Sequence, residues 1–179
     1  SDMEKKLYEK VDLGLKYNNS SYLLVKLLRL RQYTLLPQMV LDSVHDKDKD
    51  SADDYIYKYS NTKLDSVINT LKKYKDIEKP IVFCHFKKEM EYLKQNLTHE
   101  GFRVDVINGD VPMDKRREII DNHEKIDILL IQLQAGSVGL NLQMFNGVYF
   151  PAPHWNPTHE RQAVCRAYRM GQTKTVYVR

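Results

Sequence analysis

Cysteine is almost missing: Cys84 and Cys165 are the only two in 179 residues. Two cannot build a disulfide framework, and both fall in segments expected to be buried or half-buried, so a reducing compartment is the expectation. Long apolar runs are absent as well. None approaches the roughly 18 residues of a membrane span, and the first residues lack the apolar block of a secretory signal, so no membrane partner is expected. Ser1, Asp2 and Met3 read as a cloning remnant, which puts the natural start elsewhere. The six histidines never reach a zinc-ligand spacing such as CxxC with HxxxH, and no metal site is expected. Finally, no GxxxxGK[ST] phosphate loop and no DExx acid pair occurs in this sequence. Nothing in it can therefore hold the β- and γ-phosphates of a nucleotide with Mg²⁺.

What is present is unevenly charged. The net charge is only +4, but residues 45–54, HDKDKDSADD, hold five aspartates. After Trp155, by contrast, Arg161, Arg166, Arg169, Lys174 and Arg179 face Glu160 alone. A basic C-terminal region suits phosphate, whether of a nucleotide or of a nucleic-acid backbone.

The periodicity predicts three regions. Residues 1–44 read as a helical extension: 3–17 place Leu7, Val11 and Leu15 on one side, and Ser20 or Ser21 caps a second helix. Its Leu23, Leu24, Leu27, Leu28 and Arg31 follow a 3.6-residue period up to Pro37, as in a helical hairpin packed on a neighbour. Residues 45–60 form a polar linker or loop without amphipathic period. From 61 to 179 short apolar runs alternate with helical patterns. A helix capped by Asn61 or Thr62 carries Leu64, Val67, Ile68 and Leu71 inward. Strands are predicted at 81–86, 102–107, 127–133, 148–150 and 175–178, with helices after Phe86 and from Pro112 to about Asn122. Such alternation means an α/β fold, a parallel sheet with helices on both faces.

The stretch 155–172, WNPTHERQAVCRAYRMGQ, has clear start and stop signals. Asn156 can cap a helix, Pro157 suits its first position, and Gly171 can end it in the left-handed conformation. A helix of roughly four turns would gather Gln162, Arg166 and Arg169 on one side, with Ala163, Val164, Ala167 and Met170 on a separate apolar arc. In an open parallel sheet, ligands bind beyond the carboxyl ends of the strands. The segments leaving those ends offer His85, Phe86, Lys87 and Lys88, then the tight turn of Asn108, Gly109 and Asp110. A third supplies Gly136, Ser137 and Gly139, whose backbone N–H groups could approach a phosphate.

Together these segments resemble the C-terminal helicase lobe of the Swi/Snf-type ATPases of superfamily two, a RecA-like lobe. Residues 155–172 follow the family pattern WNPxxExQAxxRxHRxGQ through Trp155, Asn156, Pro157, Glu160, Gln162, Ala163, Arg166, Arg169, Gly171 and Gln172. Leu27, Leu28, Leu30, Arg31, Gln32 and Pro37 match an LLxLRQxxxxP segment, without the Cys and His that usually follow the Gln. IVFCHFKKEMEYL, FRVDVINGDVPMDKRREII and LLIQLQAGSVGLNL resemble the family's intervening motifs, so the likeness covers 27–179. The chain departs from the pattern at Ser137 for glycine, Tyr168 for histidine, Cys165 for an acid, Ala152 for aspartate and His123 for an aromatic.

The resemblance implies one half of an ATP-driven translocase on double-stranded DNA. ATP with Mg²⁺ would be held mainly by an N-terminal RecA-like lobe of the same protein, and this lobe alone would be inactive. Arg166 and Arg169 would be catalytic arginine fingers; Gln162, Gly136, Gly139 and Asn141 would line the nucleotide site. His85, Lys87, Lys88, Asn108, Gly109, Ser137 and Trp155 would touch DNA. Chromatin remodelling, repair or transcription in the nucleus follows, with nucleosomes or transcription and repair proteins as partners. LRLRQ, Leu133 and Val138 lean toward the Rad-type repair branch. Abundant Lys, Asn, Ile and Tyr, all with AT-rich codons, leave a viral or cytoplasmic setting open. Two other readings stand beside it: a DEAD-box RNA helicase lobe, whose last motif reads HRxGRxxR where this chain has Gln172, and a catalytically silent scaffold.

Overall fold

The computed structural model describes residues 20–40, 61–136 and 139–179. The helix expected at 3–17, the polar linker and Ser137 lie outside them. The chain divides into two compact units, 1–66 and 67–179.

In the first unit, helix α1 spans Ser20–Leu35. Leu36 still donates to the Gln32 carbonyl at 2.9 Å, then Pro37 breaks the helix and a new turn covers 38–40. Leu30, Tyr33, Leu35, Leu36, Met39 and Val40 are buried, whereas Leu23, Leu24, Leu27 and Leu28 are exposed. The expected packing of the periodic leucines is thus displaced. Spacing shows that a helix has an apolar face but not what covers it, and burial here sets in only at the C-terminal half. Helix α2, Thr62–Lys73, runs across the division and buries Leu64, Ile68 and Leu71 as expected.

The second unit is a five-stranded, all-parallel sheet in the order β2-β3-β1-β4-β5. The strands are β1 Pro80–Cys84, β2 Val104–Ile107, β3 Ile128–Gln132, β4 Gly147–Tyr149 and β5 Tyr177–Val178. Between them come α3 Lys87–His99, α4 Met113–Asp121, a 3₁₀ turn His123–Lys125, α5 Leu133–Gly136 and α6 Pro157–Ala167. β1 and β3 carry uninterrupted apolar runs because parallel central strands are covered on both faces, and Ile81, Phe83, Leu129 and Ile131 are all fully buried. Ile107, Ile120, Leu142, Phe145, Val148, Ala163 and Ala167 complete this core.

β1, β2, β3 and β5 are shorter than their apolar runs, β4 has the expected three residues shifted back by one, and side chains mark several of the strand ends. After β1, the buried Glu89 carboxylate turns back to accept the N–H groups of His85 at 2.8 Å and Phe86 at 3.2 Å, closing the strand and capping α3. Before β1, Asn146 holds the Lys79 N–H at 2.7 Å. The buried Glu78 takes the Tyr149 hydroxyl at 2.6 Å and the Arg179 guanidinium at 2.6 and 3.2 Å. Gly147 is required by this close approach, since a Cβ there would stand 2.8 Å from Glu78 Oε2. The bonds of Asn146 and Glu78 lie at the amino edge, whereas Glu89 closes β1 at the carboxyl edge, where the connecting loops gather.

Candidate functional site

The carboxyl edge joins loops that are far apart in sequence. His85, just past β1, reaches the Ala152 carbonyl beyond β4 through Nε2 at 2.9 Å. Its ring stacks on His154 with centroids 5.5 Å apart, and His154 meets His159 edge-on at 4.7 Å. Trp155 beside them is 63% exposed, an unusual amount for so large an aromatic. The loop after β1 also meets the loop after β2, where Lys87 Nζ pairs with Asp110 Oδ2 at 2.6 Å. Lys88 is exposed on the first turn of α3. Cys84, beneath this surface, is fully buried, and burial together with the Glu89 charge pushes its thiol well up. Such a group is not a nucleophile.

The turn at 108–111 is held from within and from below. Asn108 Oδ1 accepts the Asp110 N–H at 3.0 Å, and Gln132 Oε1, at the end of β3, accepts the Gly109 N–H at 3.1 Å. Arg116, only 9% exposed, gives Nε to the Val111 carbonyl at 2.7 Å. Its Nη2 goes to Asn108 at 3.0 Å and its Nη1 to Ala135 at 3.2 Å. Sequence reasoning missed Arg116 and Gln132 as organisers of the edge, because their partners are backbone carbonyls and N–H groups that no side-chain motif announces.

The arginine helix is shorter than expected. Asn156 caps it, accepting the Thr158 N–H at 3.0 Å, and Pro157 occupies the first position as foreseen. It ends at Ala167, however, after 11 residues, so Arg169 and Met170 lie beyond it and the expected single face of Gln162, Arg166 and Arg169 does not form. The reason is competition for carbonyls. The Arg166 carbonyl, which Met170 would use in a longer helix, accepts the Leu142 N–H at 3.2 Å. Gln172 Nε2 adds bonds to Gln143 at 2.7 Å, Phe145 at 2.9 Å and Ala167 at 3.5 Å. Met170 is 94% exposed and not part of an apolar arc, while Ala163 and Ala167 are buried as expected. Cys165, expected to be at least half-buried, is exposed.

The outcome is a shared edge. Leu142 and Gln143 follow Gly139 and Asn141 and are tied to the end of α6 beside Arg166. Gly139 is exposed with φ +52, and Asn141 is exposed with Oδ1 3.5 Å from the Gln143 N–H. Gln162 and Arg169 are exposed and Arg166 half-buried. Gly171, with φ +101, makes the turn that returns Gln172 to the loop; a Cβ there would stand 2.9 Å from Gln143 Oε1. Guanidiniums, an amide and a loop of backbone donors are a fitting set for phosphate. Among the described residues of this edge they are not accompanied by a cluster of carboxylates suited to Mg²⁺.

A parallel α/β lobe with an arginine helix at its carboxyl edge is the class of protein defined here. Residues 62–171 match the helicase conserved C-terminal domain family. The chain belongs to that family, as a RecA-like C-terminal lobe of the Swi/Snf-type ATPases. It is 35% identical over 126 residues to transcription termination factor 2 of Drosophila melanogaster, covering 66% of this chain and 12% of the relative. DNA repair protein RAD5 of Cryptococcus neoformans is 34% identical over 126 residues, 66% of this chain and 10% of the relative. Chromatin-remodeling ATPase INO80 of Candida glabrata is 32% identical over 119 residues, 65% of this chain and 8% of the relative. The chain thus spans about a tenth of the length of such curated relatives. In fold it is similar to the C-terminal part of the Fun30 ATPase domain, with TM-score 0.72 and 20% identity over 98% of this chain and 80% of that one.

Proposed function

We propose that this lobe is the second half of an ATP-driven motor that moves along duplex DNA. Arg166 and Arg169 act in it on phosphates held by a preceding lobe. The observation that carries the reading is the tie between the loop after Asn141 and the end of α6, through Leu142 and Gln172, beside which Arg169 stands exposed. The donor set fits a nucleotide's phosphates from one side only. Bound there, ATP supplies the phosphoryl group whose transfer drives movement, and Mg²⁺ belongs to carboxylates and a phosphate loop outside this sequence.

In this reading Gln162, Asn141 and the backbone near Gly136 and Gly139 orient the triphosphate, and the two guanidiniums stabilise charge as it spreads over the transferring group. His85, Lys87, Lys88, Asn108, Gly109, Ser137 and Trp155 face the DNA backbone. Binding is therefore independent of sequence and weakens with salt. The names of the relatives, which speak of repair, chromatin remodelling and transcription termination, support nuclear work on DNA, with chromatin or repair proteins as partners.

The test uses the full-length protein. Arg169→Ala is expected to lower DNA-stimulated ATP hydrolysis by about 10³-fold or more. A rate within about twofold of wild type would refute the finger assignment, and stimulation by single-stranded RNA alone would refute the DNA reading.

A further inference from the structure

We propose that Arg116 is a positioning residue that couples the two sides of the carboxyl edge, carrying occupancy of the 108–111 turn by a nucleic-acid backbone to α5 and the nucleotide side. This rests on the function proposed above and names a device within it.

Three features support the assignment. Arg116 is nearly buried, and its three hydrogen bonds go only to backbone carbonyls: two in the turn after β2, Asn108 and Val111, and one in α5, Ala135. Among the described residues no carboxylate faces it, so its charge is answered by carbonyl dipoles alone. A guanidinium presents its N–H groups in a fixed fork, which a flexible ammonium cannot imitate. A shift of either loop by about an ångström would leave a buried charged donor unmet, so the two loops hold or move together.

A second strut runs between the same regions. Gln132, the residue just before α5, accepts the Gly109 N–H at 3.1 Å. The turn also has a built-in point of disturbance. Lys87 Nζ and Asp110 Oδ2 are 2.6 Å apart and both side chains are more than half exposed. A backbone phosphate that takes Lys87 frees the Asp110 carboxylate, and with it the turn, from its tie to α3. The strain that follows has a fixed path, from 108–111 through the Arg116 fork to Ala135.

The experiment measures ATP hydrolysis by the full-length protein with and without duplex DNA, together with amide hydrogen exchange in peptides covering 108–111 and 133–136. In wild type, DNA is expected to slow exchange in both peptides. In Arg116→Lys the ratio of stimulated to basal rate falls at least tenfold, and the DNA-dependent protection of 133–136 is lost while that of 108–111 remains. Arg117→Lys, an exposed neighbour on α4, leaves both readouts unchanged. Gln132→Leu removes only the lighter strut and lowers the ratio about threefold, and Gln132→Glu, which keeps the acceptor oxygen, restores it.

Retained stimulation in Arg116→Lys overturns the proposal, as does an equal fall of basal and stimulated rates with faster exchange throughout the lobe, which marks a purely structural role. A wild-type protein that hydrolyses ATP with neither stimulation nor protection by DNA overturns the DNA reading itself, and the coupling with it.

Discussion

Arg103 grips Asp127 with two side-chain hydrogen bonds of 3.0 and 2.6 Å, and its own N–H donates to the same carboxylate at 2.8 Å. The Arg103 hydrogen bond is the largest influence holding the Asp127 carboxyl below its usual range, and partial burial opposes it. A depressed carboxylate pKa stabilises the fold above the unfolded value of about 3.9, and that contribution is lost as pH falls through the folded value. Asp127→Asn should therefore lower the urea midpoint by a constant amount above about pH 5, with the gap closing below about pH 4; a gap that persists unchanged into acid would sink this assignment. At this scale the sequence is a partial guide. Asn156 and Pro157 could be read because capping chemistry is local. Arg116, Gln132 and Gln172 could not, because their roles depend on carbonyls from distant segments.

Helix α6 shows how a local stop signal can be correct in kind and misplaced in position. Gly171 does adopt the left-handed conformation, but it turns the chain four residues after the helix has ended at Ala167. What shortens the helix is competition for its last carbonyls: the loop before β4 claims that of Arg166 through Leu142, and the Gln172 side chain, beyond the helix, claims that of Ala167. The consequence for Arg169 is large: it is placed by a turn rather than by helical geometry. Gly171→Ala should cost about 1–2 kcal/mol in urea unfolding, from the left-handed backbone, with a further loss from displacing Gln143. Unchanged stability would show that the turn relaxes freely. The strands were recognisable from their apolar runs, yet all but β4 are shorter than those runs, and periodicity does not reveal the bonds that close an end, such as those of Glu89 after β1.

At the scale of the whole lobe, alternation of runs sufficed for a parallel α/β sheet, but the strand order required coordinates. β1 lies at the centre, between β3 and β4, and β2 is pushed to an edge. This order has a consequence in time. The chain makes its fully buried strand β1 first, yet neither neighbour of that strand exists until β3 has been formed, and β2, which comes next, never pairs with it. Pairings of such long sequence separation close slowly, on the scale of milliseconds to seconds. Stopped-flow refolding of the lobe should fall in that range, and microsecond folding would contradict it. Until then Ile81, Val82 and Phe83 wait without partners, exposed to other chains in the same state. For a newly made copy of this protein the dangerous interval is the synthesis of the stretch between its first strand and its third.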